Sequence, residues 1–361
     1  MLHRTFIITL LALLAFMNLA QGDELPRPAF TEGTPAAGQF VRQAATGAFL
    51  GSAIYHGLYL PTNWQPGEKY PVVVEYAPNR AEQFGTTGRV EDCRLGYYWT
   101  GGRDFIWLVL PYIDVASRTN QDTWWGHADV SCDYALSVMA QVCDDYGGDR
   151  DTIILCGFSR GAIACGYLGL RNDAIADVWL GFWAHSHIDG GKFTPAGAAE
   201  RLARVRGRKT LVTWGETDGA KSESPRGAER LREAGQPVEA FEIAGEGHSD
   251  RWIEKDCAAR QSARAWLAEV LQKRPGTFHI RGQVVDPTGK PVAGATVTYG
   301  SWHRAVTDAT GQYEVRGLTS GTRSLVVERR DFQDSKGYEV KIIDENVTAT
   351  SITLQQERTG R

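Results

Sequence analysis

Short, β-branched apolar runs recur along most of this chain, and between them lie segments whose apolar residues follow helical spacing. The runs are Pro71–Tyr76, Phe105–Tyr112, Thr152–Cys156, Val178–Trp183, Lys209–Trp214 and Ala240–Ile243, bounded by Gly, Pro or Asp. They are apolar on both faces, as strands buried from two sides must be. The helical segments are Ala128–Tyr146, Ser159–Leu170, Ala196–Val205, Arg226–Ala234 and Ile253–Leu271. Strand and helix alternating this often predict an α/β fold, a mostly parallel sheet with helices on both faces. Gln39–Thr46 and His56–Leu60 precede the series and predict an antiparallel start.

The texture changes at Lys273-Arg274-Pro275-Gly276. Beyond it come short alternating runs, His279–Val285, Ala295–Tyr299, Gln312–Val315, Ser324–Glu328, Glu339–Ile343 and Ser351–Leu354, with Asp/Gly turns such as Asp286-Pro287-Thr288-Gly289. Regular spacing with Gly, Pro and Asp corners predicts a small all-β sandwich. No cysteine follows position 275, and of 11 tryptophans only Trp302 does. A chain of 361 residues is long enough for two domains. The expected division is 1–22, 23–274 and 275–361.

The first segment is set apart by its own pattern. Met1-Leu2-His3-Arg4 is a basic start, Phe6 to Leu19 is almost wholly apolar, and Ala20-Gln21-Gly22 places small residues at −3 and −1 of a cleavage site. This is the layout of a secretory signal peptide. Its apolar run is shorter than the roughly 20 residues a membrane span needs. The expected location is therefore secreted or periplasmic, without stable membrane insertion after cleavage. An exported chain may form disulfides. Cys93, Cys132, Cys143 and Cys257, in more polar surroundings, are the candidates for bridges, whereas Cys156 and Cys165 read as core residues. The net charge of −4 without a basic stripe excludes nucleic acid as the main partner.

Thr152-Ile153-Ile154-Leu155-Cys156-Gly157-Phe158-Ser159-Arg160-Gly161-Ala162 carries the most chemical information. A buried strand runs into Gly-x-Ser-x-Gly and then an Ala/Gly-rich helix. A serine on so sharp a strand-to-helix turn has a strained backbone, and bulky residues two positions away would collide with it. Glycines at 157 and 161 relieve the crowding and leave Oγ exposed, while the helix aims its first amides at any oxyanion formed there. A hydroxyl needs a base to become nucleophilic. His248, in the Gly245-Glu246-Gly247-His248 turn after one strand, answers that need. Asp218, on the acidic loop after Lys209–Trp214, is the carboxylate to orient it, with Glu216 as its rival.

Together Gly157-Phe158-Ser159-Arg160-Gly161, Asp218 and His248 resemble the α/β-hydrolase family, in its order nucleophile, acid, histidine. Within it the segment from about 40 to 272 resembles secreted esterases of the acetyl-xylan, feruloyl or polyester type, and prolyl-oligopeptidase-like hydrolases more distantly. The resemblance implies a serine hydrolase acting on carboxylic esters, with no cofactor, on a small-molecule or polysaccharide ester substrate. It also implies an oxyanion hole from the amide of Arg160 and one from the loop Glu75-Tyr76-Ala77-Pro78-Asn79. The usual His-Gly is missing there and Pro78 has no N–H, so Ala77 or Asn79 is the second donor. The C-terminal segments Gly282–Asp286, Gly289–Ala295 and Thr307–Tyr313 resemble carboxypeptidase regulatory-like, transthyretin-like domains, which carry no chemistry of their own.

Two clusters lie where the walls of such a site belong. Trp124 and Trp125, in the polar loop 120–127, can stack on a sugar or aromatic group, or plug the loop from beneath. His185 and His187 follow a strand end and are candidates for substrate contact or for plain hydrogen bonding within the loop; no third and fourth ligand accompany them, so no metal is expected. Two other functions compete with the esterase: a serine peptidase of prolyl-oligopeptidase-like type, and a non-catalytic surface binding protein with a degenerate hydrolase core.

Overall fold

A computed structural model of the chain describes residues 26–188, 193–219, 223–272, 278–300, 302–318, 321–332, 337–343 and 345–355. The expected signal peptide lies outside the described residues. Internal packing divides the chain into two compact units, one of residues up to Arg171 with Trp179–Lys273, the other of Asn172–Val178 with the residues from Arg274 on.

The first unit is built on nine strands: β1 (Phe30–Glu32), β2 (Phe40–Ala44), β3 (Tyr55–Tyr59), β4 (Tyr70–Tyr76), β5 (Ile106–Leu110), β8 (Gly148–Phe158), β9 (Gly181–His185), β10 (Thr210–Gly215) and β11 (Val238–Ile243). Two short strands, β6 (Ile113–Asp114) and β7 (Thr119–Asn120), pair apart from them. The sheet order is β1-β2-β3-β5-β4-β8-β9-β10-β11. The antiparallel start is there: β2 pairs antiparallel with β3, and β3 with β5. From β5 to β11 every pairing is parallel. Val73, Val74, Leu108, Val109, Ile154 and Leu155 are completely buried, which is why those strands show no polar face in sequence. The helices are α1 (Leu95–Thr100), α2 (Ala128–Asp145), α3 (Arg160–Tyr167), α5 (Ala198–Ala203), α6 (Glu223–Glu233) and α7 (Ala258–Gln272), with α4 (Asp173–Ala176) belonging to the second unit. The α/β class read from the alternation is the class observed.

Helix α1 was not foreseen, and its cause is tertiary. The residue before it makes no side-chain cap. Instead the buried carboxylate of Glu75, at the end of β4, accepts from the amides of Arg94, Leu95 and Gly96 and from the indole of Trp107. A β-carbon on Gly96 would lie 2.3 Å from that indole, so only glycine lets the ring reach the carboxylate. Burial pushes the Glu75 carboxyl up, and the four N–H donors oppose it.

The cysteines correct the sequence reading. All six are free thiols. Cys93, Cys132 and Cys143 were grouped with Cys257 as bridge candidates because their neighbours in sequence are polar, but all three side chains turn into the core, and only Cys257 is partly exposed. Burial pushes the Cys132 and Cys143 thiols up to about 12, so they are inert small core residues.

The second unit contains two four-stranded sheets. One has β12 (Phe278–Val285) antiparallel to β15 (Gln312–Leu318) and parallel to β18 (Val347–Thr348) and β19 (Ile352–Thr353). The other runs β14-β13-β16-β17, with β13 Thr296–Tyr299, β14 His303–Val306, β16 Gly321–Glu328 and β17 Tyr338–Ile342. Ile280, Val284, Val297, Val315, Leu325 and Val327 form its core, each fully buried. Strands β14 and β18 are the two that the sequence reading lacked in this unit.

Candidate active site

Strand β8 ends at Phe158 and α3 begins at Arg160, leaving Ser159 alone to turn the chain. It does so at φ 55° and ψ −115°, a backbone conformation that costs a non-glycine residue energy and is held by what surrounds it. Its amide donates to the carbonyl of His185 at the end of β9. The two flanking glycines have the cause expected of them. A β-carbon on Gly157 would stand 2.3 Å from the Gly161 carbonyl carbon, and one on Gly161 would stand 2.2 Å from the Tyr76 carbonyl oxygen.

His248 and Asp218 arrive on loops after β11 and β10. His248 Nε2 lies 2.9 Å from Ser159 Oγ, and Nδ1 lies 3.1 and 3.2 Å from the two carboxylate oxygens of Asp218. Asp218 is 1% exposed. The two loops are stitched to one another: Thr217 donates to the Glu246 carbonyl from both its amide and its hydroxyl. Gly215 makes this approach feasible, since a β-carbon there would meet Gly247 O at 2.3 Å. Glu216, the rival for the acid's place, accepts from the Gly245 amide instead. It braces the histidine loop and does not orient the ring. Beyond His248, buried Asp250 pairs with Arg94 at 3.2 Å, and Arg94 also pairs with Glu254. Burial pushes the Asp250 carboxyl up to about 7 against the pull of Arg94.

Two loops face this relay. Asn79 Oδ1 accepts from the Trp124 amide and Arg80 N donates to Asp122 O, so the 77–88 and 121–126 loops are joined to each other, while Thr86 braces the first loop internally by donating to Asn79 O. Ala77 is buried and its carbonyl accepts from the Tyr112 hydroxyl. The Arg160 side chain is 1% exposed and reaches both loops, donating to the carbonyls of Pro78, Gly88, Gln121 and Trp124. Its guanidinium carbon stands 3.9 Å from the centre of the Tyr112 ring.

The two tryptophans have different surroundings. Trp124 is 48% exposed at φ 52°, with its ring 6.1 Å from Phe193. Trp125 packs on Tyr167 and Tyr112. His187 is buried, its ring 5.8 Å from His248 and 5.0 Å from Phe193. His185 requires a correction: expected to touch substrate, it has no exposed surface. Its Nδ1 faces Thr213 Oγ1, and Nε2 lies 2.9 Å from Ser249 O and receives the indole N–H of Trp252. Burial pushes His185 down to about 4. It is a core histidine beneath the site.

Phe84 was missed by the sequence reading. It is half exposed, and its ring lies 4.8 Å from that of His248, which Phe158 also contacts at 4.9 Å. The signal was a lone aromatic in the polar stretch from Asn79 to Gly88, which has no packing reason to be there. Among the described residues no group of three His, Cys, Asp or Glu side chains can hold a metal, and no helix is long and apolar enough to cross a membrane.

Residues 279–355 match the family model of the carboxypeptidase regulatory-like domain. No curated protein matches the chain. Among solved structures it is similar to a thermophilic and thermostable carboxylesterase cloned from a metagenomic library, at 14% identity and a TM-score of 0.48 over 74% of this chain and 98% of that one. A ferulic acid esterase is similar at 16% identity and a TM-score of 0.44, over 64% and 98%. A candidate dipeptidyl aminopeptidase IV from Bacteroides ovatus is similar at 13% and 0.48, over 64% of this chain and 36% of that one.

Proposed function

We propose that this protein is an exported serine hydrolase that cleaves carboxylic esters, in particular acyl groups linked to carbohydrate, through Ser159, His248 and Asp218. The observation that carries the proposal is the unbroken path from Ser159 Oγ through both nitrogens of His248 to a buried carboxylate. That carboxylate holds the resting proton on Nδ1 and leaves Nε2 free to take another. His248 removes the Ser159 proton as Oγ bonds to the acyl carbon, and the carbonyl π pair moves to oxygen. When the C–O bond breaks, the protonated ring gives its proton to the departing alcohol. Water then attacks the acyl-enzyme by the same route, and Ser159 regains its proton.

The oxyanion is held by the amide of Arg160, first in α3, and by a second amide from the loop after β4. Of Ala77 and Asn79, Asn79 suits this role better. The Tyr76 carbonyl is directed at Gly161, and across a trans peptide the Ala77 N–H points the other way. Phe84, His187, Phe193 and Trp124 supply an aromatic rim around the relay, the kind of surface on which sugar rings and planar acyl groups stack. Trp125 lies beside Trp124, with 6.0 Å between the ring centres.

A panel of acetylated xylan, feruloylated sugars, triglycerides and proline-containing peptides tests this. Release of acetate or ferulate, with Ser159→Ala inactive on the same substrates, is the expected result. Cleavage of peptides alone would replace the esterase with the peptidase, and turnover that survives Ser159→Ala would remove the proposed nucleophile.

A further inference from the structure

Arg160 is a buried cation that donates four hydrogen bonds to backbone carbonyls. Those carbonyls, Pro78, Gly88, Gln121 and Trp124, lie outside any helix or long strand, on the two loops that the Arg160 side chain bridges. A cation in such a place is costly to bury, and burial lowers the affinity of the guanidinium for its proton. The fold tolerates that cost at the residue immediately after the nucleophile.

The bond to Pro78 is the informative one. Arg160 Nη2 lies 2.7 Å from Pro78 O. The peptide that bears this oxygen is the one that bears the Asn79 N–H, and in a planar trans peptide the two point in opposite directions. Fixing the carbonyl therefore fixes the amide. A charge-assisted bond to the carbonyl also polarises the peptide and strengthens its N–H as a donor. The same guanidinium holds the other side of the loop as well, because Asn79 Oδ1 accepts from Trp124 N and Trp124 O accepts from Arg160 Nη1.

We infer that Arg160 serves the oxyanion twice: its own amide is one donor, and its side chain is a positioning group that aims and polarises the Asn79 amide as the other. The inference rests on the proposed esterase reading. It makes the width of the oxyanion site, and with it the placement of Trp124, depend on one side chain. Lysine in its place retains the charge but lacks the planar fork that spans four carbonyls.

The test uses the full-length chain, p-nitrophenyl acetate, and phenylboronic acid as a probe that forms a tetrahedral adduct on serine. Arg160→Lys and Arg160→Gln, normalised to active sites by burst titration, should lose about 10- to 100-fold in kcat, with KM changed less than about 3-fold, since removal of an oxyanion donor costs about 10²–10³. The inhibition constant of phenylboronic acid should weaken in step with kcat, which a loss of fold stability alone would not produce. In the unsubstituted protein, adduct formation should slow hydrogen exchange of the Asn79 amide at least about 10-fold, a readout independent of whether the variants fold. Variants with kcat within 2-fold of the parent, or Asn79 exchange unaffected by the adduct, overturn the inference. If instead the parent chain itself fails to hydrolyse the ester, or Ser159→Ala retains turnover, the esterase reading has failed.

Discussion

His56 offers a test of how dry the centre of the first unit is. It sits in β3, 4% exposed, with Nδ1 2.9 Å from the Tyr134 hydroxyl, and burial alone pushes it down to about 3. In the unfolded chain the ring titrates near 6.5. Between these values the unfolded state binds a proton that the native state refuses, so stability rises with pH through that window and is lost as pH falls. At pH 5 the difference is 1.5 units from the unfolded value, or about 2 kcal/mol. Two other buried groups titrate in the same range: His185 adds to the loss, while Asp250, pushed up to about 7, opposes it. The clean measurement is therefore a difference. His56→Gln keeps a polar side chain facing Tyr134 and removes the titration. Urea unfolding followed by tryptophan fluorescence, at pH 7 and pH 5, gives the stability lost on acidification by each protein. The variant should lose about 2 kcal/mol less than the parent, because the other groups cancel in the comparison. Equal losses would mean that the His56 ring reaches water and that the burial argument is wrong.

The two acidic residues of the β10 loop should separate sharply. Asp218→Asn should lower kcat on p-nitrophenyl acetate by about 10⁴, as loss of the correct histidine tautomer does in such relays. Glu216→Gln, which alters the carboxylate that accepts from the Gly245 amide and leaves Asp218 on the ring, should stay within about 5-fold; the reverse ranking in steady-state assays would reassign the acid. Gly161→Ala places a β-carbon 2.2 Å from Tyr76 O, so calorimetry should show destabilisation of about 1–3 kcal/mol, with activity reduced by displacement of the loop after β4. An undisturbed melting temperature and kcat would show that α3 and β4 are not in the contact described. Phe84→Ala should raise KM for an aryl ester more than for acetate esters, and equal effects on both would take Phe84 out of the rim.

Most of the fold was legible because its strands are buried on two faces, and such strands announce themselves by composition. The expected Lys209–Trp214 differs by one residue at each end from observed Thr210–Gly215. Strand β8 is longer than its apolar part, because Gly148-Asp149-Arg150-Asp151 extends it without contributing to the core. What escaped was held by distant partners. Helix α1 has no local cap and is organised by Glu75, some twenty residues earlier, so nothing within its own sequence marks its start. Cys132 and Cys143 were misread for a related reason: polar neighbours in sequence do not stop a side chain on the inner face of a helix from pointing inward. At the candidate site, the Ser159 turn, the Asp218 loop and the His248 turn each carried a backbone reason that sequence displays. The depth of His185 and the aromatic contact of Phe84 depend on which loops meet, and no spacing encodes that.

A fluorophosphonate probe, followed by peptide mass spectrometry, measures the central claim directly. The account predicts one covalent adduct, on Ser159, in the unsubstituted protein, with labelling strongly slowed in His248→Gln and absent in Ser159→Ala. A folded protein that takes up no label, or one that is labelled on a different serine, would contradict it.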